Sequence, residues 1–197
     1  MPKKTMSKFG LYKKLGMTRI FSDKGVAISA TVLELDKATI VKKTKIGALV
    51  AYAPKNKIKK TIAGQIKPLV EKFSKVIEIK TVENVEPGKA LTIDFEIGSK
   101  VNAVSVGKGK GFQGVIKRHG FSRGPETHGS HHHRAPGAIG SAFPQRVVKG
   151  KKMPGQMGGN RNTIKNLQVV DVDEDKKLIV VKGSIAGPNR SQVMLYQ

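Results

Sequence analysis

The chain has 197 residues, no cysteine and a formal net charge of +23, because 37 Lys and Arg stand against 14 Asp and Glu. This length suffices for one sizeable core in one or two domains, and the missing cysteines exclude disulfide bonds and thiolate chemistry. The charge predicts a polyanionic partner, with nucleic acid the first candidate. An anionic membrane would require an amphipathic basic helix or a long apolar span, and we find neither in the sequence.

Short β-type runs separated by turn residues occupy both ends of the chain. For example, Val26, Ile28 and Ala30 recur at the period of two that is typical of strands. We predict strands at Thr18–Phe21, Val26–Leu35, Thr39–Lys43, Ala48–Ala53, Val76–Val82, Leu91–Phe95, Lys100–Val106, Leu167–Val172, Leu178–Val181 and Gln192–Tyr196. We predict turns at Ser22–Gly25, Glu86–Lys89 and Asp173–Lys176, a loop at Gly183–Pro188, and one or two helical turns at Pro68–Phe73.

This pattern predicts a mainly β protein, built as one barrel or sandwich. Residues 1–197 would form a single domain, with a small variable α+β insertion within residues 45–100. Residues 107–163 would form a long irregular basic extension inserted between two strands, with both ends held by the core. Loops of this length are usually functional or disordered.

The basic character is strongest from Ile97 to Val170, where 13 Lys and Arg face a single acid, Glu126. All five His of the chain lie there too. The middle of this stretch, Gly120–Thr163, has only seven large apolar side chains for 44 positions, too few to offset an ordering cost of about 1–2 kcal/mol per residue. We therefore expect it to order on a polyanion.

A glycine motif, Gly109–Gly114, matches the pattern G-x-G-x-x-G after a predicted strand. A dinucleotide site would need a helix next and an acid about 20 residues further on, but Arg134 stands at that position. We interpret the glycines as small residues that let the backbone approach another backbone, while nearby cations meet phosphates. A plain Gly-rich turn is the alternative reading, and no cofactor is predicted.

Four histidines, His128 and His131–His133, raise the question of a metal site. Zinc ligands converge tetrahedrally and often include Cys or acids, whereas three consecutive His of an extended segment cannot all point inward. We predict no metal, and interpret these His as groups that stack on bases or bond to phosphate and 2′-hydroxyl. Ser130 beside His132 lacks the third member of a catalytic triad, so no enzyme activity is predicted. The run Gly129–His133 resembles a tag remnant, but it is internal to the chain.

The run Lys149–Gly159 combines three Lys with Pro154 and several Gly. Such a segment suits a tip packed deep in folded RNA, where Met153 and Met157 would supply adaptable apolar contacts. A solvated basic loop is the alternative reading.

Motifs that occur in order across nearly the whole chain are Gly16–Phe21, Gly107–Gly114, Thr127–Ser130, His133–Gly137, Lys149–Met153, Gly155–Gly158, Val181–Gly183 and Gly187–Pro188. Together they resemble the universal large-subunit ribosomal protein L three family, in its bacterial form. The chain looks shorter than usual members between Ile40 and Gly98.

The resemblance implies a closed translation-protein-type β-barrel with an extension that reaches through rRNA toward the peptidyl-transferase centre, Lys149–Gly159 being nearest to it. It implies a structural role that begins early in subunit assembly, with large-subunit rRNA and neighbouring ribosomal proteins as partners, and no small-molecule substrate. The expected location is the cytoplasmic ribosome, since the first ten residues lack a secretory signal; an organellar ribosome stays open. Gln156 is a candidate for methylation, because some bacterial relatives modify this glutamine.

The predicted rRNA-binding residues are Lys108, Lys110, Lys117, Arg118, His119, Arg123, His128, His131, His132, His133, Arg134, Arg146, Lys149, Lys151, Lys152, Gln156 and Arg161. Two other functions compete with this prediction. A DNA-architectural protein would favour dimer-forming strands and a paired β-arm, and would be insensitive to the 2′-hydroxyl. An enzyme acting on RNA would need a cofactor loop or an acid–base pair, which the sequence does not supply.

Overall fold

The structure is a computed structural model that describes residues 8–22, 24–44, 47–55, 57–66, 72–80 and 86–197. The chain divides into two compact units, one comprising Met1–Val106 with Arg161–Gln197 and the other Gly107–Asn160. The strands are β1 (Phe9–Phe21), β2 (Ala27–Leu35), β3 (Ala38–Lys43), β4 (Gly47–Pro54), β5 (Phe73–Lys80), β6 (Lys100–Val106), β7 (Gly111–Gln113), β8 (Gly155–Met157), β9 (Arg161–Asp173), β10 (Leu178–Lys182) and β11 (Gln192–Tyr196). The helices are α1 (Lys60–Gln65) and α2 (Val115–His119).

Six strands of the first unit hydrogen-bond in a closed ring, in the order β1-β11-β6-β9-β10-β2. Every neighbouring pair is antiparallel. The ring closes because β1 is long enough to pair with β11 through Phe9–Lys13 and with β2 from Tyr12 onward. The chain is therefore mainly β, as predicted.

Alternate residues of these strands form the core of the ring. Tyr12, Leu33, Val101, Ile179 and Leu195 are all fully buried in it. Burying each such side chain contributes about 1.5–3 kcal/mol, so the period-two pattern in the sequence is the direct cause of the ring.

A three-stranded sheet, β3-β4-β5, packs its apolar face against the outside of the ring. Ile40 and Val50 of the sheet share a buried cluster with Leu11 and Met194 of the ring. The other face of the sheet buries Phe73 with Ile66, the residue that ends α1.

The second unit contains little regular structure. Strand β7 pairs with β8 over three residues, and α2 follows β7 at once. The helix ends at Gly120, whose φ of +71° is the left-handed conformation that a glycine adopts without strain.

The described turns agree with the sequence predictions, but not every predicted strand is present. The strand predicted at Leu91–Phe95 is wrong, because none of these described residues joins a ladder and the only nearby pairing is an isolated bridge between Thr39 and Ala90. Phe95 is instead buried in the core of the ring, so the apolar alternation there indicated burial and not pairing.

The region before β5 differs from its prediction too. Of the helical turns predicted at Pro68–Phe73, residues 68–71 lie outside the described residues, and Phe73 begins β5. Residues 81 and 82, predicted to end a strand, and Asp23, predicted in a turn, also lie outside them. Both short helices and the β7–β8 pair were not predicted, because elements of three to six residues carry too few periods to be recognised.

Candidate nucleic-acid interface

The second unit concentrates the predicted rRNA-binding cations. Gly107–Asn160 carries ten Lys and Arg and one acid. That acid, Glu126, forms an ion pair with Arg123, which is the one salt bridge among the described residues of this unit. Among the described residues, the remaining cations therefore have no acidic side chain to neutralise them, and all of them except Arg118 are exposed to phosphates.

Most of the predicted residues are exposed. Among them are Lys108, Lys110, Lys117, Arg134, Arg146, Lys149, Lys151 and Lys152. Arg161 is exposed as well, but it belongs to the first unit, as the first residue of β9.

Arg118 and His119 are the exceptions, because both are half-buried and turn toward one carbonyl. The Nη1 atom of Arg118 donates to the oxygen of Met153 over 2.6 Å, and Nε2 of His119 lies 3.0 Å from the same oxygen. The His119 ring also contacts the ring of Phe121, with centroids 6.1 Å apart. These two side chains therefore hold the Met153 segment against α2, a role that the sequence did not reveal.

The β7–β8 pair brings Gly109–Gly114 beside Lys149–Gly159. Phe112 lies opposite Gln156, and the amide of Lys110 donates to the carbonyl of Met157 over 2.9 Å. A side chain at Gly158 would collide with the backbone carbonyl of Lys108. Gly158 therefore allows a close backbone approach within this unit, against its own chain. The glycines of Gly109–Gly114, for which close approach was predicted, have open space where a side chain would stand, so that prediction stays untested.

The four clustered histidines have different environments. Nδ1 of His133 lies 2.7 Å from the carbonyl oxygen of Pro125, which draws that ring onto its own loop. The amide of Gly124 donates to the carbonyl of His133, and a side chain at Gly124 would meet the carbonyl of His132. His128, His131 and His132 are exposed. Across the described part of the chain, no three His, Cys, Asp or Glu approach closely enough to hold a metal ion.

Two exposed phenylalanines were missed by the sequence analysis as binding residues. Phe112 is 75% exposed on β7 and Phe143 is 83% exposed. Bases stack on exposed aromatic rings, so both are candidates to hold a base. The available signal for Phe112 was its place directly after Lys110 and Gly111 in a basic stretch, whereas Phe143 has neither Lys nor Gly within two positions and gave no such signal.

Residues 137–152 are exposed without exception. Their described hydrogen bonds are local, such as the amide of Arg146 to Pro144 and the amide of Lys151 to Val148. This stretch therefore contributes no described residue to a core, and its four cations, Arg146, Lys149, Lys151 and Lys152, all lie in its second half.

Comparison with known proteins identifies the family of the chain. The model of the family described as Ribosomal protein L3 matches residues 9–182. The chain belongs to the ribosomal protein L3 family. Among its relatives, the large ribosomal subunit protein uL3 of Oceanobacillus iheyensis is 42% identical over 96% of this chain and 97% of its own length.

Further members of the ribosomal protein L3 family align just as completely. The uL3 protein of Brevibacillus brevis is 40% identical over 96% of this chain and 97% of its own length. That of Streptococcus mutans is 39% identical over 96% of each chain. The resemblance seen in the sequence motifs is thereby confirmed. Within the described residues, no helix is long and apolar enough to cross a membrane.

Proposed function

We propose that this protein is a structural constituent of the large ribosomal subunit and binds large-subunit rRNA. The observation that carries the proposal is the surface of Gly107–Asn160, where ten cations face one acid that is already paired with Arg123. Its relatives are named as large-subunit proteins, which supports the same role here. The role is one of binding and positioning rather than catalysis.

The ring of six strands supports a further assignment within this function. We infer that it is the translation-protein-type β-barrel implied by the family, that β4, α1 and β5 belong to the small insertion within residues 45–100, and that residues 107–163 are the extension into rRNA. In this proposal the extension points toward the peptidyl-transferase centre, with Lys149–Gly159 nearest to it. Neighbouring ribosomal proteins would contact the protein in the cytoplasmic ribosome.

A role early in subunit assembly is also part of the proposal. A single chain that joins an ordered barrel to a long phosphate-binding segment can anchor to one region of rRNA and organise another. The partner must be polyanionic, since the unit has a formal charge of +9 from ten basic residues and one acidic residue.

Co-sedimentation tests this function directly. We expect the full chain to travel with large subunits in a gradient and to bind large-subunit rRNA in preference to DNA of the same sequence and length. Equal binding to both nucleic acids would contradict the proposal, because 2′-hydroxyl and A-form recognition distinguishes RNA binders.

A further inference from the structure

A cleft of about 570 Å³ lies within the first unit, where the outside of the ring meets the β3–β5 sheet. Leu11 of β1 and Met194 of β11 are cross-strand partners at the base of its apolar wall, where they are 1% and 7% exposed. Ile77 and the half-buried Tyr52 face them from the sheet. This volume is within the range of small-ligand sites, about 300–1,000 Å³.

A polar pair lies next to that apolar wall. Lys13 and Gln192 are the next cross-strand partners on the same face of the β1–β11 ladder. The Nζ atom of Lys13 is 2.8 Å from a carboxylate oxygen of Asp36, whose side chain is 2% exposed. Asp36 is the one acid among the described residues of the cleft, and it is therefore already neutralised.

Gln192 has an unused donor in this cleft. Its Nε2 atom is buried and has no hydrogen-bond partner among the described residues. Burying an amide without a partner is unfavourable, and native structures rarely do so without a reason. A ligand that supplies an acceptor at this position would remove that cost.

The rim of the cleft is basic. Lys75, Arg161 and Arg190 line it. Arg161 is exposed at the start of β9, and Arg190 is exposed two residues before β11. With Asp36 neutralised by Lys13, the cleft as a whole attracts an anion. An apolar wall, one free amide and several cations together match a nucleotide better than a carboxylate-rich peptide, which would leave the apolar wall uncovered.

We propose that this cleft binds a single unstacked nucleotide of RNA. The base lies against Tyr52 and Ile77, above the nearly buried Leu11 and Met194. The Gln192 amide turns to bond to the edge of the base, and Arg161 and Arg190 hold its phosphates. Folded RNA commonly presents such splayed bases to proteins, and an amide side chain can both donate to and accept from a base edge. The inference rests on the proposed function and extends rRNA binding from the second unit to the first.

Methionine-methyl NMR on the full chain tests the proposal. Met194 lines the cleft, whereas Met17 is 52% exposed elsewhere on β1 and serves as the internal control. The probes are a short single-stranded RNA, an abasic oligonucleotide with the same number of phosphates, and an acidic peptide of equal charge.

We expect the RNA to shift the Met194 signal in a saturable way, and the abasic oligonucleotide to leave it in place. An abasic oligonucleotide that shifts Met194 as far as RNA would overturn the proposal, because the base would not be required. An acidic peptide that shifts it further than RNA would assign the cleft to a protein. An RNA that binds the chain without moving Met194 would also overturn it.

A matched pair of variants gives a second readout. Gln192→Leu removes the free amide, and Gln168→Leu removes an exposed amide on β9. We expect Gln192→Leu to lower affinity for the RNA oligonucleotide about three- to tenfold, the effect of one lost hydrogen bond, without lowering the midpoint of thermal unfolding. Gln168→Leu should change neither.

Unchanged binding by Gln192→Leu, or a loss that only parallels a lower unfolding midpoint, contradicts the nucleotide site. Arg190→Gln, at the rim, should weaken the same RNA while leaving the fold intact. Co-sedimentation of the wild-type chain with large subunits separates the two claims, because it fails only if the proposed function fails.

Discussion

The guanidinium of Arg118 donates a 2.6 Å hydrogen bond to the carbonyl oxygen of Met153, 35 residues later in the chain. A side chain at Gly155 would stand 2.8 Å from the same guanidinium, so glycine leaves room for this contact. Arg118 therefore positions the Lys149–Gly159 segment. Its remaining N–H donors can bind a phosphate at the same time. A charge-assisted hydrogen bond of this kind is about twice as strong as a neutral one.

Replacing Arg118 by Met should weaken rRNA binding more than the same change at Lys117. Each variant loses one positive charge, but only Arg118 holds the Met153 carbonyl, while Lys117 is exposed on α2. We expect about a tenfold loss for Arg118→Met, from one charge-assisted bond. Lys117→Met should mainly make the slope of log affinity against log salt less steep, by about 0.9, which is the contribution of one phosphate contact. Equal effects of both variants on affinity and on salt dependence would contradict the positioning role.

Gly158→Ala should disrupt the β7–β8 pair, and Gly159→Ala is its control. Both glycines have positive φ, +70° and +71°, so both variants carry the same left-handed strain, about 1–2 kcal/mol. An alanine at position 158 would place its methyl group against the Lys108 carbonyl, whereas an alanine at position 159 would face open space. Hydrogen exchange at the amide of Lys110 should therefore be faster in Gly158→Ala than in Gly159→Ala. Equal exchange would show that the contact is dispensable.

Phosphate contacts and base stacking should separate by their salt dependence. Six or more phosphate contacts lower affinity by a factor of about 10³ or more between roughly 50 and 200 mM salt. Phe112→Ala should weaken rRNA binding about tenfold, the effect of losing one stacked base. The slope of log affinity against log salt should be the same for this variant as for the wild type. Phe21→Ala, another exposed phenylalanine (69% exposed), is the control. A flat salt titration of the wild type would contradict phosphate-dominated binding.

Gln156 remains a candidate for methylation. It is exposed on β8 opposite Phe112, so its amide is accessible to a modifying enzyme before the protein is assembled. We expect peptide mass analysis of the protein purified from ribosomes to find one added methyl group on Gln156. An unmodified peptide would leave it as an ordinary hydrogen-bonding side chain.

The extension should order on RNA while the ring folds without it. Residues 137–152 are exposed throughout, so trypsin should cut the free chain first at Arg134, Arg146 and Lys149–Lys152, and the same sites should resist inside the subunit. A variant with Gly124–Gly159 replaced by a short Gly/Ser link should keep a cooperative melt and bind rRNA poorly. Unfolding of that variant, or resistance of the free chain to trypsin at these sites, would place the stretch in the core.

Much of the ring could be predicted from local pattern. The hairpin β9–β10 and the strand at Gln192–Tyr196 followed from alternating apolar residues between turn residues, because each strand buries one side of its pleat. Leu91–Phe95 shows the limit of that argument. Phe95 is buried, and Leu91 and Ile93 are half-buried against the core. Whether such an extended segment also pairs depends on which strands lie beside it.

The positive charge of Gly107–Asn160 and its shortage of apolar side chains were determined by the sequence alone, since neither depends on how the chain folds. Only the tertiary structure decided which cations are free: Arg118 turns inward to Met153, and Arg123 pairs with Glu126. It alone decided that Gln192 shares a cleft with Tyr52, residues 140 positions apart in the chain. Hydrogen bonds and clefts require atoms within a few ångströms, and over such separations only strand order and packing bring them together.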